Sequence, residues 1–308
     1  MNILLILLVI IFALIYTGFT YENISRLRDK NRYKTPPGKL VDVDGTKLHI
    51  LVMGERQTGK PAIVMDAAVG CNSLDWQKVQ PKLAEFAQTV TYDRAGYAWS
   101  EKGQNPRSPE RIVEELHTLL QNAEIEAPYL LVGHSFGGIH VRLFADKFPE
   151  ETAGMVLVDS SHPALLAERD TEPELRRLKI VQIFQYFGAV RLMMNRSSGQ
   201  VNYLSPEEKQ KYLAFNLMSN RNVLREAEPL FRNGVELSDT VNVPLTIISR
   251  ARDDELSGER RWADYQDKLA ELSPDAKHIH AKTASHWVAL AEPDTVVSAI
   301  REMYENLG

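Results

Sequence analysis

Along this chain the apolar positions follow two regimes. Ile3 to Phe19 (ILLILLVIIFALIYTGF) runs 17 residues without a charge. From Leu40 onward, short β-branched runs alternate with amphipathic stretches. LVDV, TKLHILVMG, PAIVMD, VTYD, YLLVG, GMVLVD, PLTIIS and KHIHA predict strands. WQKVQPKLAEFAQ, PERIVEELHTLLQNA, GGIHVRLFADKF, RRWADYQDKLAEL and PDTVVSAIREMYENL carry apolar residues at helical spacing. Strand and helix in alternation predict an α/β fold, a mostly parallel sheet with helices on both faces. Residues 164 to about 240 interrupt the alternation and read as helices only. SPEEKQKYLAF opens with a capping box, Ser205 to Glu208, and has Pro206 at the first helical position. A helical insertion after the sixth strand lies over the strands' carboxyl ends, where open α/β sheets bind ligands.

As a helix the first apolar run measures about 26 Å at roughly 1.5 Å per residue, close to a hydrocarbon core of about 30 Å. A cleaved signal peptide starts with basic residues and ends in a small-residue cleavage site; here the start is MN and the exit is TGFTYEN. Residues 1–21 are therefore expected to be an uncleaved anchor. Arg26, Arg28, Lys30, Arg32 and Lys34 follow it, against Glu22 and Asp29, which places the following domain on the cytoplasmic side by the positive-inside tendency. TPPG breaks any continuing helix, so residues 22–38 are expected to be a linker and 39–308 the folded domain. The 308 residues carry a net charge of −5 and a pI near 6.0, which gives no basic excess for nucleic acid. The one cysteine, Cys71, cannot form an internal disulfide.

Candidate chemistry centres on YLLVGHSFGGIHVRLF, residues 129–144: a buried strand, a serine between glycines, then a helix. In a nucleophile elbow any side chain at Gly133 or Gly137 would collide with strand or helix, and Ser135 is the nucleophile. A serine hydroxyl needs a base within reach. Of eight histidines, His286 stands in a polar loop, TASHW, between the last strand and the final helix, and is the expected general base. His278 and His280 alternate on a strand without a third ligand nearby, so no metal is expected. The amides of Phe136 and Ala68, with Ala67 next in line, are the expected oxyanion donors. His134 and Trp287, beside nucleophile and base, and Phe187 and Met193 from the insertion are the expected substrate-binding positions. GERQTGKP, residues 54–61, imitates a phosphate-binding loop, but Pro61 replaces the required Ser or Thr and a strand follows. It is read as a hairpin-like turn.

With these residues in place the chain resembles the α/β-hydrolase superfamily, in its membrane-anchored or exported bacterial branch of serine hydrolases. The resemblance rests on GKLVDVDGTKLHILVMG, LDW, VTYDRAGYAWSEKG, PYLLVGHSFGGIHVRLFADKFPEETAGMVLVDSSHP and ASHW, which together span most of residues 38 to 308. It implies an eight-stranded sheet, a helical cap at about 164–240, no cofactor, and hydrolysis of an ester or related acyl substrate through an acyl-enzyme; the apolar residues of the insertion and the anchor point to a lipophilic substrate. By position it puts the triad acid in RARDDE, at Asp254, with Asp253 as the alternative. Two departures stand out: Asp66 and Ala67 replace the usual HG, and Ala251 replaces a glycine of the acid loop. Relatives that open epoxides or remove halogens use an Asp nucleophile, against which Ser135 argues. Two rival functions remain on the same fold: a ligand-binding or receptor module, and a cofactor-free lyase or perhydrolase.

Overall fold

The computed structural model describes residues 3–168, 170–194, 200–251 and 257–307. All eight expected strands form, in one sheet of order β1-β2-β4-β3-β5-β6-β7-β8: β1 (Lys39–Val43), β2 (Thr46–Met53), β3 (Ala62–Asp66), β4 (Thr89–Tyr92), β5 (Tyr129–His134), β6 (Thr152–Val158), β7 (Leu245–Ser249) and β8 (Lys277–His280). The β1–β2 and β2–β4 pairs are antiparallel and the others parallel. Every residue of β3, β4 and β5 is buried, because helices cover both faces of a parallel sheet and its central strands read as continuous apolar runs. Since β4 lies between β2 and β3, the turn at Thr58-Gly59 joins strands that are not neighbours and is not a hairpin.

Helices follow the strands in turn: α1 (Ile3–Arg32) precedes the sheet, α2 (Gln80–Leu83) and α3 (Pro109–Asn122) flank β4, and α4 (Phe136–Lys147) follows β5. After β6 come α5 (Pro163–Ala167), α6 (Glu172–Tyr186), α7 (Ala189–Met194) and α8 (Pro206–Asn233) without a strand; then α9 (Ser257–Ala270), α10 (Val288–Ala291) and α11 (Pro293–Asn306) complete the order. One face of the sheet packs Val113, Leu116, Val141 and Phe144 of α3 and α4 with Leu269 of α9. The other packs Leu83 with Val296 and Ile300 of α11. The expected long helix at WQKVQPKLAEFAQ is instead a 3-10 turn, Ser73–Trp76, and the short α2. Pro81 sits at the start of α2 and has no amide to continue a preceding helix. The capping box of α8 forms, the Ser205 hydroxyl accepting from the Glu208 amide and the Glu208 carboxylate from the Ser205 amide.

The first helix departs from expectation at its end. It runs to Arg32, beyond residue 21, because nothing in ENISRLRDKNR breaks a helix and Pro36-Pro37 come later. Its first half is exposed and long and apolar enough to cross a membrane, with a mean hydropathy of 2.8. Its second half packs on α6 to α8. A Cβ on Gly18 would lie 2.5 Å from the Phe187 carbonyl oxygen, and Arg191 of α7 reaches Glu22 at 2.9 Å and Asp29 at 2.7 Å.

Candidate active site

Ser135 stands between β5 and α4 with φ 53° and ψ −117°, a left-handed backbone that a non-glycine residue adopts only at a cost of about 1–3 kcal/mol. Neighbouring glycines make the turn possible. A Cβ on Gly133 would fall 2.6 Å from the backbone of Gly137 and Gly138, and one on Gly137 would fall 2.5 Å from the Asp66 carbonyl oxygen. The same close approach brings the loop after β3 against the elbow. Phe136 opens α4, so its amide has no acceptor within the helix. The Ala68 amide likewise donates to no backbone carbonyl among the described residues.

His286, in the loop between β8 and α10, has a side chain 25% exposed, and its Nδ1 donates to Oδ2 of Asp159 at 2.5 Å. With Nδ1 carrying the proton, Nε2 is left with a free lone pair. Asp159 follows β6, is fully buried, and has φ 41°. Its Oδ1 accepts from the Trp262 indole at 2.9 Å and the Arg250 amide at 3.3 Å, and its Oδ2 from Arg250 Nη1 at 2.6 Å. Burial pushes the Asp159 carboxyl up, but the His286 hydrogen bond and the charges of His286 and Arg250 outweigh it and hold it below the ordinary carboxylate range. Burial lowers His286 below the ordinary imidazole value, against the opposing pull of Asp159. His286 is further held from behind: His134 Nε2 donates to its carbonyl oxygen at 2.8 Å.

Ser135, Phe136, His286, Trp287, Arg250 and Trp262 line one open cavity of about 730 Å³, to which the insertion contributes Leu166, Tyr203 and Phe231. Of the expected site residues, this cavity gathers Ser135, Phe136, His286 and Trp287, and Ala68 is buried in the loop beside the elbow. It does not gather three others. His134 is buried behind His286, Phe187 packs against α1, and Met193 is 70% exposed on α7. Asp253 and Asp254 lie outside the described residues. The carboxylate found on His286 is Asp159, which the RARDDE reading passed over. Its signal was present in GMVLVDSSHP, an acid at the carboxyl end of a buried strand next to the nucleophile's strand. His278 and His280 share the Ser249 hydroxyl, at 2.8 and 3.1 Å. His162 caps α5, its Nδ1 accepting from the Ala164 amide.

A second buried network holds the loop after β3. Arg94 Nη1 donates to the Ala67 carbonyl at 2.8 Å and to Asp66 Oδ1 at 2.5 Å, and Nη2 donates to the Ala68 carbonyl at 2.7 Å. Its far side meets Glu226 of α8 at 3.1 Å, and Asp66 Oδ2 accepts from His140 Nδ1 at 2.7 Å. Burial would raise Asp66, but Arg94 and His140 bring it down to about 2. Two carbonyls fixed by one guanidinium aim the intervening amide, and an ammonium cannot span both. Arg94→Lys is therefore expected to lower kcat about a hundredfold, the scale of losing one oxyanion donor. Its effect on KM is expected to be small, a split that steady-state kinetics reads directly.

The family described as alpha/beta hydrolase fold matches residues 61–198. The uncharacterized protein YqjL of Bacillus subtilis (strain 168) is 26% identical over 270 residues, covering 86% of this chain and 91% of YqjL. An AB hydrolase superfamily protein of Gibberella zeae is 21% identical over 309 residues, covering 85% and 94%. Among solved structures, a bromoperoxidase from Bacillus anthracis superposes with a TM-score of 0.69 at 17% identity, covering 87% of this chain and 99% of that one. An esterase from Thermogutta terrifontis gives 0.65 at 18%, covering 87% and 96%. At these identities the solved structures speak for the fold.

Proposed function

We propose that the chain, whose fold is that of the α/β hydrolases, is a serine hydrolase acting through Ser135, His286 and Asp159. The observation that carries the reading is the His286–Asp159 hydrogen bond at the wall of the cavity that Ser135 also lines. Ser135 Oγ attacks an ester or related acyl carbonyl while His286 Nε2 takes its proton. The oxyanion forms against the amides of Phe136 and Ala68. His286 then returns the proton to the leaving alcohol, water attacks the acyl-enzyme by the same route, and Ser135 is regenerated. Asp159 keeps the proton on Nδ1 and stabilises the imidazolium. The aromatic and aliphatic lining, Phe136, Leu166, Phe231 and Trp287, fits a lipophilic acyl or aryl group, which is the ground for a carboxylesterase or lipase-like activity. The apolar first helix supports a membrane anchor, with the catalytic domain on the cytoplasmic side from the basic residues that follow it.

Two measurements test this reading. A fluorophosphonate is expected to add once per chain, with the adduct on the peptide containing Ser135 and none in Ser135→Ala; an unlabelled wild type would refute it. The pH profile follows from the direction of the His286 shift. His286 must be neutral to accept the proton, and its pKa is lowered, so the acid limb of kcat/KM is expected to have its midpoint below the ordinary imidazole value of about 6.5. A midpoint above that value would contradict the burial argument.

A further inference from the structure

A second cavity, about 810 Å³, lies apart from Ser135 between α1, the loop after β4, and helices α6 and α8. Five cations line it, Arg26, Lys30, Lys34, Lys102 and Arg225, against two carboxylates, Glu101 and Glu228. Both acids are engaged elsewhere: Glu101 accepts from the Lys47 amide at 3.0 Å, and Glu228 meets Arg232 at 3.1 Å and Lys179 at 3.7 Å. An aromatic group backs the cavity, with Trp99 and Tyr33 at 4.2 and 5.7 Å from the Phe215 ring. The Tyr33 hydroxyl is buried and has no hydrogen-bond partner among the described residues.

Its position along α1 identifies the ligand. Arg26 is seven residues past Phe19, about 10 Å further along the helix axis, at the outer edge of a headgroup layer roughly 5–8 Å deep on each side of the hydrocarbon core. On α6 and α7, beside the end of the apolar run, Ile180, Ile183, Phe184, Leu192 and Met193 are all 46% to 70% exposed. A cationic cavity next to exposed apolar residues, both at the exit of an apolar helix, matches a molecule with an anionic head and apolar tails. We propose that this cavity binds the phosphate headgroup of an anionic bilayer phospholipid, whose acyl chains lie along α1 and the outer face of α6. The proposal rests on the reading of α1 as a membrane anchor. Because α8 carries both Arg225 at this cavity and Glu226 on Arg94, the lipid would sit against the helix that also braces the loop after β3.

The test uses the full chain in non-ionic detergent, with native mass spectrometry of lipid retained after adding phosphatidylglycerol, phosphatidylcholine or inorganic phosphate. Selective retention of one phosphatidylglycerol is expected, falling with salt. In Lys30→Gln/Arg225→Gln, retention is expected to weaken about thirtyfold, from roughly fivefold per cation, while turnover of a soluble ester stays unchanged. Equal retention of the two lipids, or retention unaltered in the double variant, would overturn the proposal. So would protection by inorganic phosphate without lipid binding, which would mean a soluble anion. Flotation on phosphatidylcholine vesicles separates the premises: a chain that fails to float refutes the anchor, whereas one that floats without selecting phosphatidylglycerol refutes only the headgroup site.

Discussion

Ser135→Ala is expected to lower kcat on an activated ester by about 10⁶-fold, the scale on which a serine nucleophile is lost from a triad. The substitution removes Oγ alone. Alanine places its Cβ where the serine Cβ already fits and faces the same left-handed backbone, φ 53°, so circular dichroism and the melting temperature are expected to stay close to wild type. Some rate above the uncatalysed reaction is expected to persist, since in the proposed mechanism the Phe136 and Ala68 amides still meet the oxyanion. A variant that kept even about one percent of the turnover would assign the chemistry to another residue and contradict the elbow reading.

Asp159→Asn is expected to cost about 10⁴-fold in kcat with the fold retained. The carboxylate accepts a proton that His286 Nδ1 offers at 2.5 Å. An amide of the same shape can present its NH₂ to that nitrogen, which favours the tautomer with the proton on Nε2. The imidazole then faces Ser135 with a donor and cannot act as its base. The substitution also removes the charge that Arg250 and the Trp262 indole hold in place. A partly buried guanidinium is left without this carboxylate, so a lowered melting temperature accompanies the kinetic loss.

The elements most legible in the sequence were those specified locally. The strands declared themselves by β-branched runs, the α8 start by Ser205 and Glu208, and the elbow by glycines whose absent side chains leave room for Gly137 to meet Asp66. His286 was singled out by elimination, since it alone stood in a polar loop after the last strand, and it lines the same cavity as Ser135. Asp159 was missed because what makes it a partner is not local. Its left-handed backbone and its approach to a histidine 127 residues away arise only when β6 and β7 pair and the loop after β8 folds over them. The habit of looking for an acid after the seventh strand drew attention to Asp253 and Asp254, whereas Arg250, directly after β7, turns towards Asp159. Arg94 was equally hidden, since its partners come from β3, the loop after it, and α8. Phe187 and Met193 were credited with a pocket as apolar residues of the insertion. Apolar character does not say which side of the insertion meets the site and which meets α1 or solvent: Phe187, just past α6, packs on α1 and Met193 of α7 is exposed.

The assignment of Asp159 as the acid is the central claim, and one comparison tests it most directly: turnover of a single activated ester by Asp159→Asn and by Asp253→Asn/Asp254→Asn. Active sites are counted in both by fluorophosphonate labelling. The Ser135–His286–Asp159 triad predicts a loss of about 10⁴-fold in the first and less than about threefold in the second. A large loss in the second with a near-normal first would move the acid to the loop after β7 and contradict this account.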